Sequence, residues 1–313
     1  MNHVPGVRES TRRRVLAVAK QLNYAPNVHA SALAKGSSRI LGVVVSNVDN
    51  PFFLEVFRSL EEEAASAGYS VMMEHTGYQP ARLQSALRSL LGLRLAGVAL
   101  IVSEMDSSIL EELARRDLPT VVSDVVHPAS NITSIRVSYE VGMRRAVEHL
   151  HSLGHRRMGF VGHHVGLSPL QERKRTFTET MERYASGAEF ASAESEDTPQ
   201  GGRIAAAALL DTGFQPTAIL CVNDFMAIGV LRELRERGLR VPEDISVTGF
   251  DNIVLSEYAV PALTTLDVPR WRIGRLCFDA LVKRDPARHY KTGILVEPEL
   301  VLRGSTGVAA VAA

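Results

Sequence analysis

"ILGVVVSNVDNPFFLEVFRSLEEEAASAG", residues 40–68, sets the reading of the whole chain. Its first seven residues form a nearly unbroken apolar, β-branched run, which predicts a strand buried on both faces. A short polar loop carrying Asn50-Pro51 follows, then a helical pattern that Gly68 closes. The alternation recurs downstream. Strands are predicted at 40–46, 69–75, 97–102, 119–124, 132–137, 157–162, 217–222, 245–250 and 262–267, with helical stretches such as 51–68, 139–154 and 223–238 between them. Buried strands alternating with helices define an α/β fold with parallel sheets covered on both faces. A second βα series begins at "GHRRMGFVG" (154–162), so two lobes are predicted rather than a solenoid. In such sheets ligands bind beyond the carboxyl ends of the strands, and candidate residues are sought there.

The totals exclude more than they assign. A chain of 313 residues exceeds the size at which one core keeps growing. Hydrophobic residues make up 45% and charged residues 22%, and the 35 basic and 35 acidic side chains cancel, so net charge selects no partner class. Its distribution is uneven: residues 1–39 hold Arg8, Arg12, Arg13, Arg14, Lys20, Lys35 and Arg39 against Glu9 alone. That bias fits a segment meeting a polyanion as well as a solvated face. Cys221 and Cys277 have no paired spacing, which argues against a disulfide framework or a Cys-rich zinc site and makes a reducing cytoplasm the default. No signal-peptide core or membrane-length apolar run is present, so a cytoplasmic protein without a membrane partner is expected. The glycine-rich phosphate loops and the GxSxG elbow of α/β enzymes are missing from the sequence.

The opening stretch differs in kind. Ser10 or Glu9 caps a predicted helix, "TRRRVLAVAKQLN", whose Val15, Leu16, Val18, Ala19 and Leu22 fall at helical spacing. A second short helix, "APNVHASALAKG", stops at Gly36. Helices this short need a partner surface.

The strings "TRRRVLAVAKQLNYAPN", "ALAKGSSRILGVVVSNVDNPFF", "AVEHLHSLGHRRMGFVG", "VNDFMAIGVLRELRERGLRVPEDISVTGFDN" and "PALTTLD" together resemble the LacI/GalR (lactose-repressor) family of transcription regulators, from about Val4 to Arg303. The resemblance implies a dimer with a DNA-binding segment, a hinge helix and a two-lobe effector-binding core similar to type I periplasmic binding proteins. On that analogy residues 1–39 are a partial DNA-binding domain and hinge, 40–137 plus 267–295 the N-terminal lobe, and 138–266 plus 296–303 the C-terminal lobe. The last stretch, 304–313, reads as a disordered tail with no heptads for a tetramer. Family members place a helix-turn-helix before the helix that Ser10–Leu22 resembles. Its first two helices are absent here, so Met1 reads as an internal methionine or the start of a trimmed chain, a shortened regulator being the alternative.

The resemblance also nominates residues. Leu33 matches the hinge leucine that wedges between base steps, with Asn27, Ala30 and Lys35 nearby and Arg39 placed to approach phosphates. Around Ser31 a longer polar residue is usual. For the effector site, Phe52 and Phe53 offer faces for a sugar ring or a base. Asp124 and Asp251, at strand ends, suit adjacent hydroxyls, and the fork of Arg173 suits hydroxyls or a carboxylate, Arg175 being the register alternative. Asn223-Asp224 opens a helix, one residue capping it and the other reaching the effector. Trp271 borders the pocket on this reading, beside Val268, where a polar residue is usual. His163, His164 and Ser168 are further lining candidates, and the paired histidines lack a third metal ligand.

The expectation is an effector-responsive repressor, not an enzyme, with no cofactor and with a sugar-like effector, operator DNA and a second copy of the chain as partners. The alternatives are a sugar-binding dimer without sequence-specific DNA binding and a transport-type solute-binding protein.

Overall fold

A computed structural model describes residues 8–22, 38–164, 167–184, 187–283 and 293–310. The hinge candidates Asn27, Ala30, Leu33 and Lys35 lie outside the described residues. The first helix, α1, runs Glu9–Gln21. Arg8 occupies its N-cap position without a side-chain cap, in place of the predicted Ser10 or Glu9, and none of its residues is buried.

The stretch 40–68 folds as read. Strand β1 (Ile40–Val45) is buried along its whole length, and helix α2 (Pro51–Ser66) begins where the Asn50 side chain accepts from the Phe52 amide at 3.1 Å with Pro51 in the first turn. Phe53, Val56, Leu60 and Ala64 face the core at helical spacing. Gly68 ends the helix with φ +75°, a conformation that favours glycine. Here Arg39 turns back, giving its Nη1 to the carbonyls of Ala67 at 3.1 Å and Gly68 at 3.5 Å, with its guanidinium 5.5 Å from the Tyr69 ring. Arg39 therefore engages the end of α2.

The N-terminal lobe continues with β2 (Ser70–His75), α3 (Pro80–Leu91), β3 (Gly97–Ile101), α4 (Ser107–Ala114), β4 (Thr120–Ser123) and β5 (Ile132–Val137). The chain then enters the second lobe through α5 (Tyr139–Ser152), β6 (Arg157–His163), α6 (Ser168–Arg183), β7 (Glu189–Ser195), α7 (Pro199–Asp211), β8 (Ala218–Cys221), α8 (Asp224–Glu236), β9 (Ser246–Thr248) and α9 (Val254–Tyr258). It crosses back through β10 (Thr265–Asp267) to α10 (Arg270–Val282) and β11 (Ile294–Val296), and returns once more to β12 (Glu299–Val301). One sheet has the order β11-β5-β4-β3-β1-β2, a second β7-β6-β8-β9, and every pairing in both is parallel. Strands β10 and β12 pair antiparallel at the crossing.

Further features depart from the sequence reading, among them β11 and β12, where no strand was predicted. Strand β7 was not foreseen: its sequence, Glu-Phe-Ala-Ser-Ala-Glu-Ser, is an edge strand with little apolar content and much exposure. The stretch after Arg303, expected to be disordered, packs against the second lobe as far as Ala309. Ser305 is fully buried; its carbonyl accepts from the Val247 amide at 2.8 Å and its hydroxyl donates to the Val247 carbonyl at 2.6 Å. Gly307 donates to Ser246 Oγ at 3.0 Å, and Ala309 to the Leu153 carbonyl at 2.9 Å. Small residues with little apolar surface are held because β9, at the sheet's edge, has backbone groups to satisfy.

Glycines let helices touch. A Cβ on Gly274 would stand 2.5 Å from the Val56 carbonyl oxygen and 2.7 Å from the Leu60 amide nitrogen, so α10 lies directly on the middle of α2. In the other lobe, Cβ atoms on Gly202 and Gly229 would overlap the carbonyl oxygens of Met226 and Pro199, at the crossing of α7 and α8.

Candidate functional site

The carboxyl ends of the strands of both lobes face one cavity of about 670 Å³, mouth included. The first lobe supplies Asn50, Phe52 and Phe53 at the start of α2, Tyr78 after β2, Ser103 after β3 and Asp124 after β4. The second supplies Tyr139, Leu170, Arg173, Asn223 and Asp251. Most of the remaining wall is aliphatic, from Val121, Val122, Ile135 and Ile273 among others.

Arg173 is 7% exposed and lies on the inward face of α6; Arg175 is exposed and pairs with Glu179 at 3.6 Å, which settles the register between them. The Arg173 guanidinium sits 4.2 Å from the Tyr139 ring centre and 4.7 Å from that of Phe250, and Nη1 donates to the Val222 carbonyl at 2.7 Å. Its Nε is buried without a hydrogen-bond partner, an N–H donor left over by the protein's own contacts. Burial opposes its charge, and Tyr139, Asp251 and Asp124 more than offset that, raising its pKa.

Two carboxylates lie beside it, Asp251 buried and Asp124 half-buried at the cavity wall. Asp124 accepts from the Val137 amide at 2.9 Å and the Tyr139 hydroxyl at 2.8 Å; desolvation raises its pKa and these bonds oppose the rise. Burial pushes Asp251 up to about 7, against the pull of Arg173 and Arg270. Asp124 has φ +58°, Asp251 φ +105° and Tyr78 φ +61°, so three cavity residues carry backbone strain that the surrounding contacts must hold.

The raised Asp251 carboxyl makes a pH prediction. A folded pKa above the unfolded one means that its contribution to stability is complete below about pH 4 and is lost as pH rises through about 7. Linkage assigns this titration about 4 kcal/mol. Asp251→Asn should therefore be more stable than the parent at pH 8, and their melting temperatures should converge toward pH 5. Parallel melting curves from pH 5 to 8 would show that Asp251 is not the titrating group.

Other nominated residues fall differently. Asn223 does double duty: its side chain caps α8 by accepting from the Met226 amide at 2.9 Å, and it lines the cavity. Asp224 does not reach the cavity wall. It is fully buried, with Thr265 Oγ1 at 2.5 Å and the Ile253 amide at 2.9 Å donating to it, and burial, reinforced by Asp251, holds its pKa well above the usual carboxylate range. It stitches the loop after β9 to β10. Trp271 is also outside: it is 65% exposed, in the first turn of α10 before the buried residues begin at Ile273, and its carbonyl accepts from Ser59 Oγ at 2.7 Å. Val268 is buried in the core. His164 and Ser168 are exposed, and buried His163 packs its ring 4.9 Å from Tyr78 without lining the cavity. Among the described residues no group of three His, Cys, Asp or Glu side chains is placed to hold a metal ion.

Sequence reasoning missed Asn50, Tyr78 and Tyr139. Each lies within five residues of the end of a strand, in the region the strand-end rule that found Asp124 points to.

Two α/β lobes of parallel sheet, joined by three crossings and enclosing a cavity at the strand ends, define a ligand-binding core of the periplasmic-binding-protein type. Residues 147–306 match the periplasmic binding protein-like domain. The chain belongs to the lactose-repressor (LacI) family of transcription regulators: it is 33% identical, over 97% of its length and 92% of the relative's, to the HTH-type transcriptional repressor PurR of Photobacterium profundum. Among solved structures it is similar to the lac repressor dimer bound to operator and the anti-inducer ONPF (29% identity, TM-score 0.82, covering 98% of this chain and 92% of that one). A LacI family regulator from Enterococcus faecium with bound ribose is also similar (25% identity, TM-score 0.76, 86% and 99% covered). The protein is thus a transcriptional repressor of LacI/PurR type with a ligand-binding core, and not an enzyme. No helix among the described residues is long and apolar enough to cross a membrane.

Proposed function

We propose that the cavity binds a small, uncharged, ring-shaped polyol, a sugar or sugar derivative, and that this effector sets the affinity of a homodimer for operator DNA. The observation that carries the ligand class is the cavity's polar inventory. Among the described residues of the wall Asp124 and Asp251 outnumber the single cation, Arg173, so the site disfavours a phosphate or carboxylate and favours a ligand rich in donors. The unpaired Arg173 Nε offers a donor to a ring or hydroxyl oxygen. Phe52 and Phe53, 5.3 Å apart and edge to face, supply the aromatic surface over which a ring can lie. The ribose-bound relative shows that a core of this fold accepts a sugar. No bond is made or broken; an effector that binds one lobe arrangement better than another shifts their populations.

The mainly aliphatic wall favours a second reading, a nucleobase with a flat face and edge donors. Thermal shift against panels of monosaccharides, ribose included, and of free nucleobases separates the two. A bound sugar at a hundred times its Kd should stabilise the protein by about 2.7 kcal/mol, a shift of a few degrees. Asp251→Ala should remove the shift. Stabilisation by bases alone would replace the sugar reading, and a sugar shift that survives Asp251→Ala would move the site elsewhere.

A further inference from the structure

Asp197 is absent from the cavity wall, yet it ties the two sides of the cavity together. It lies in the turn between β7 and α7, ahead of Thr198, which caps α7 by accepting from the Gly201 amide at 2.9 Å. Its side chain is 3% exposed. Oδ2 accepts from the Tyr78 hydroxyl at 2.6 Å, from Asn50 Nδ2 at 3.1 Å and from Asn47 Nδ2 at 3.2 Å, and Oδ1 accepts from Asn223 Nδ2 at 2.6 Å. Asn47 Nδ2 also reaches the Asp197 carbonyl at 3.2 Å. Asn47, Asn50 and Tyr78 belong to the N-terminal lobe; Asp197 and Asn223 belong to the other.

A buried carboxylate held by neutral donors from across a cleft makes closure all-or-none. Hydrogen bonds to an ionised acceptor are about twice as strong as neutral ones, and they polarise one another where water is excluded. Separating the lobes breaks all three cross-cleft side-chain partners together. Two of those donors are also cavity residues: Asn50 caps α2, and the Tyr78 ring, held at φ +61° and packed against His163 of the opposite lobe, forms part of the cavity wall.

We infer that Asp197 is the closure latch of this core: a positioning residue that sets the resting balance between joined and separated lobes and fixes Tyr78 across the cavity. Every partner of the latch is supplied by the chain itself. Effector sensitivity then depends on a residue that does not line the ligand's cavity, because a ligand spanning both lobes binds in proportion to the fraction of molecules already joined. The closure statement stands without the sugar reading; the statement about sensitivity rests on it.

Single-molecule FRET on the full chain tests the latch with no ligand added. Dyes go on Ser89→Cys in α3 and Glu182→Cys in α6, both exposed and on opposite lobes, while native Cys221 and Cys277 are buried. The parent should give mainly one high-transfer population. Asp197→Ala should move most molecules to lower transfer without changing far-ultraviolet dichroism. Tyr78→Phe, which removes only one of the two shortest donors and keeps the ring, should move a smaller fraction the same way. Should Asp197→Ala fail to fold, Tyr78→Phe with Asn47→Ala decides. An unmoved distribution in the folded variants overturns the latch. If the lobes separate but neither sugar nor base panel stabilises the parent, the latch holds and the effector reading falls. If a sugar binds the parent and its Kd is the same in Asp197→Ala with the distribution unmoved, the effector reading holds and the latch falls.

Discussion

Arg173→Ala is expected to abolish effector stabilisation and to lower the stability of the unliganded protein by about 3 to 5 kcal/mol at neutral pH. Among the described residues the guanidinium is the only cationic group in the cavity wall, and Asp124 and Asp251 both stand around it. Removing it leaves two desolvated carboxyls without this counter-charge, strips the Val222 carbonyl of its 2.7 Å donor, and empties the space beside the Tyr139 and Phe250 rings. The charge component of this loss has a recognisable pH signature. As pH falls toward 5 the carboxyls protonate and no longer need the cation, so the deficit measured by urea denaturation should shrink between pH 8 and 5. A deficit independent of pH would mean that packing alone is lost. Arg173→Lys should recover part of the charge component and little of the ligand affinity, because an ammonium cannot pack against both rings while giving a planar fork of donors.

Gly229→Ala should cost about 3 kcal/mol although it is a helix-favouring change. The added methyl would overlap the Pro199 carbonyl oxygen and crowd the Arg203 amide, both rigid backbone atoms of α7. The helices must move apart, and α8 carries Asn223 at its N-cap, so the displacement reaches the cavity and the latch together. Gly213→Ala is the comparison: it has φ +83° and nothing within 4 Å, so it bears only backbone strain, of about 1 kcal/mol. Equal losses in the two variants, read from urea midpoints, would show that the α7–α8 crossing relaxes freely.

The sequence carried the site as far as its strands were legible. Strand-like runs announced β1, β3, β4, β6, β8 and β9, and looking past the ends of such strands led to Asp124, Asn223 and Asp251. Asp197 escaped because the strand before it, β7, has no apolar run: an exposed edge strand needs only backbone pairing, which leaves no mark on composition. Arg173 and Arg175 were indistinguishable by spacing, since the cavity-facing side of a helix is fixed by what it packs against. Asp224 was misplaced for a related reason. The cap position was readable, but the Thr265 hydroxyl that captures its carboxylate lies 41 residues away. Trp271 shows the converse, a large aromatic side chain whose exposure follows from its place at a helix start.

The helix that opens at the ligand cavity also ends at the bracket formed by Arg39. With 16 residues, α2 is about 24 Å long, and α10 seated against its middle through Gly274 gives it a fulcrum. Phe52 on the cavity wall and Gly68 at the far end thus belong to one short helix seated along its length. A single helix therefore reaches from the cavity wall to Arg39, the residue from which the chain enters β1.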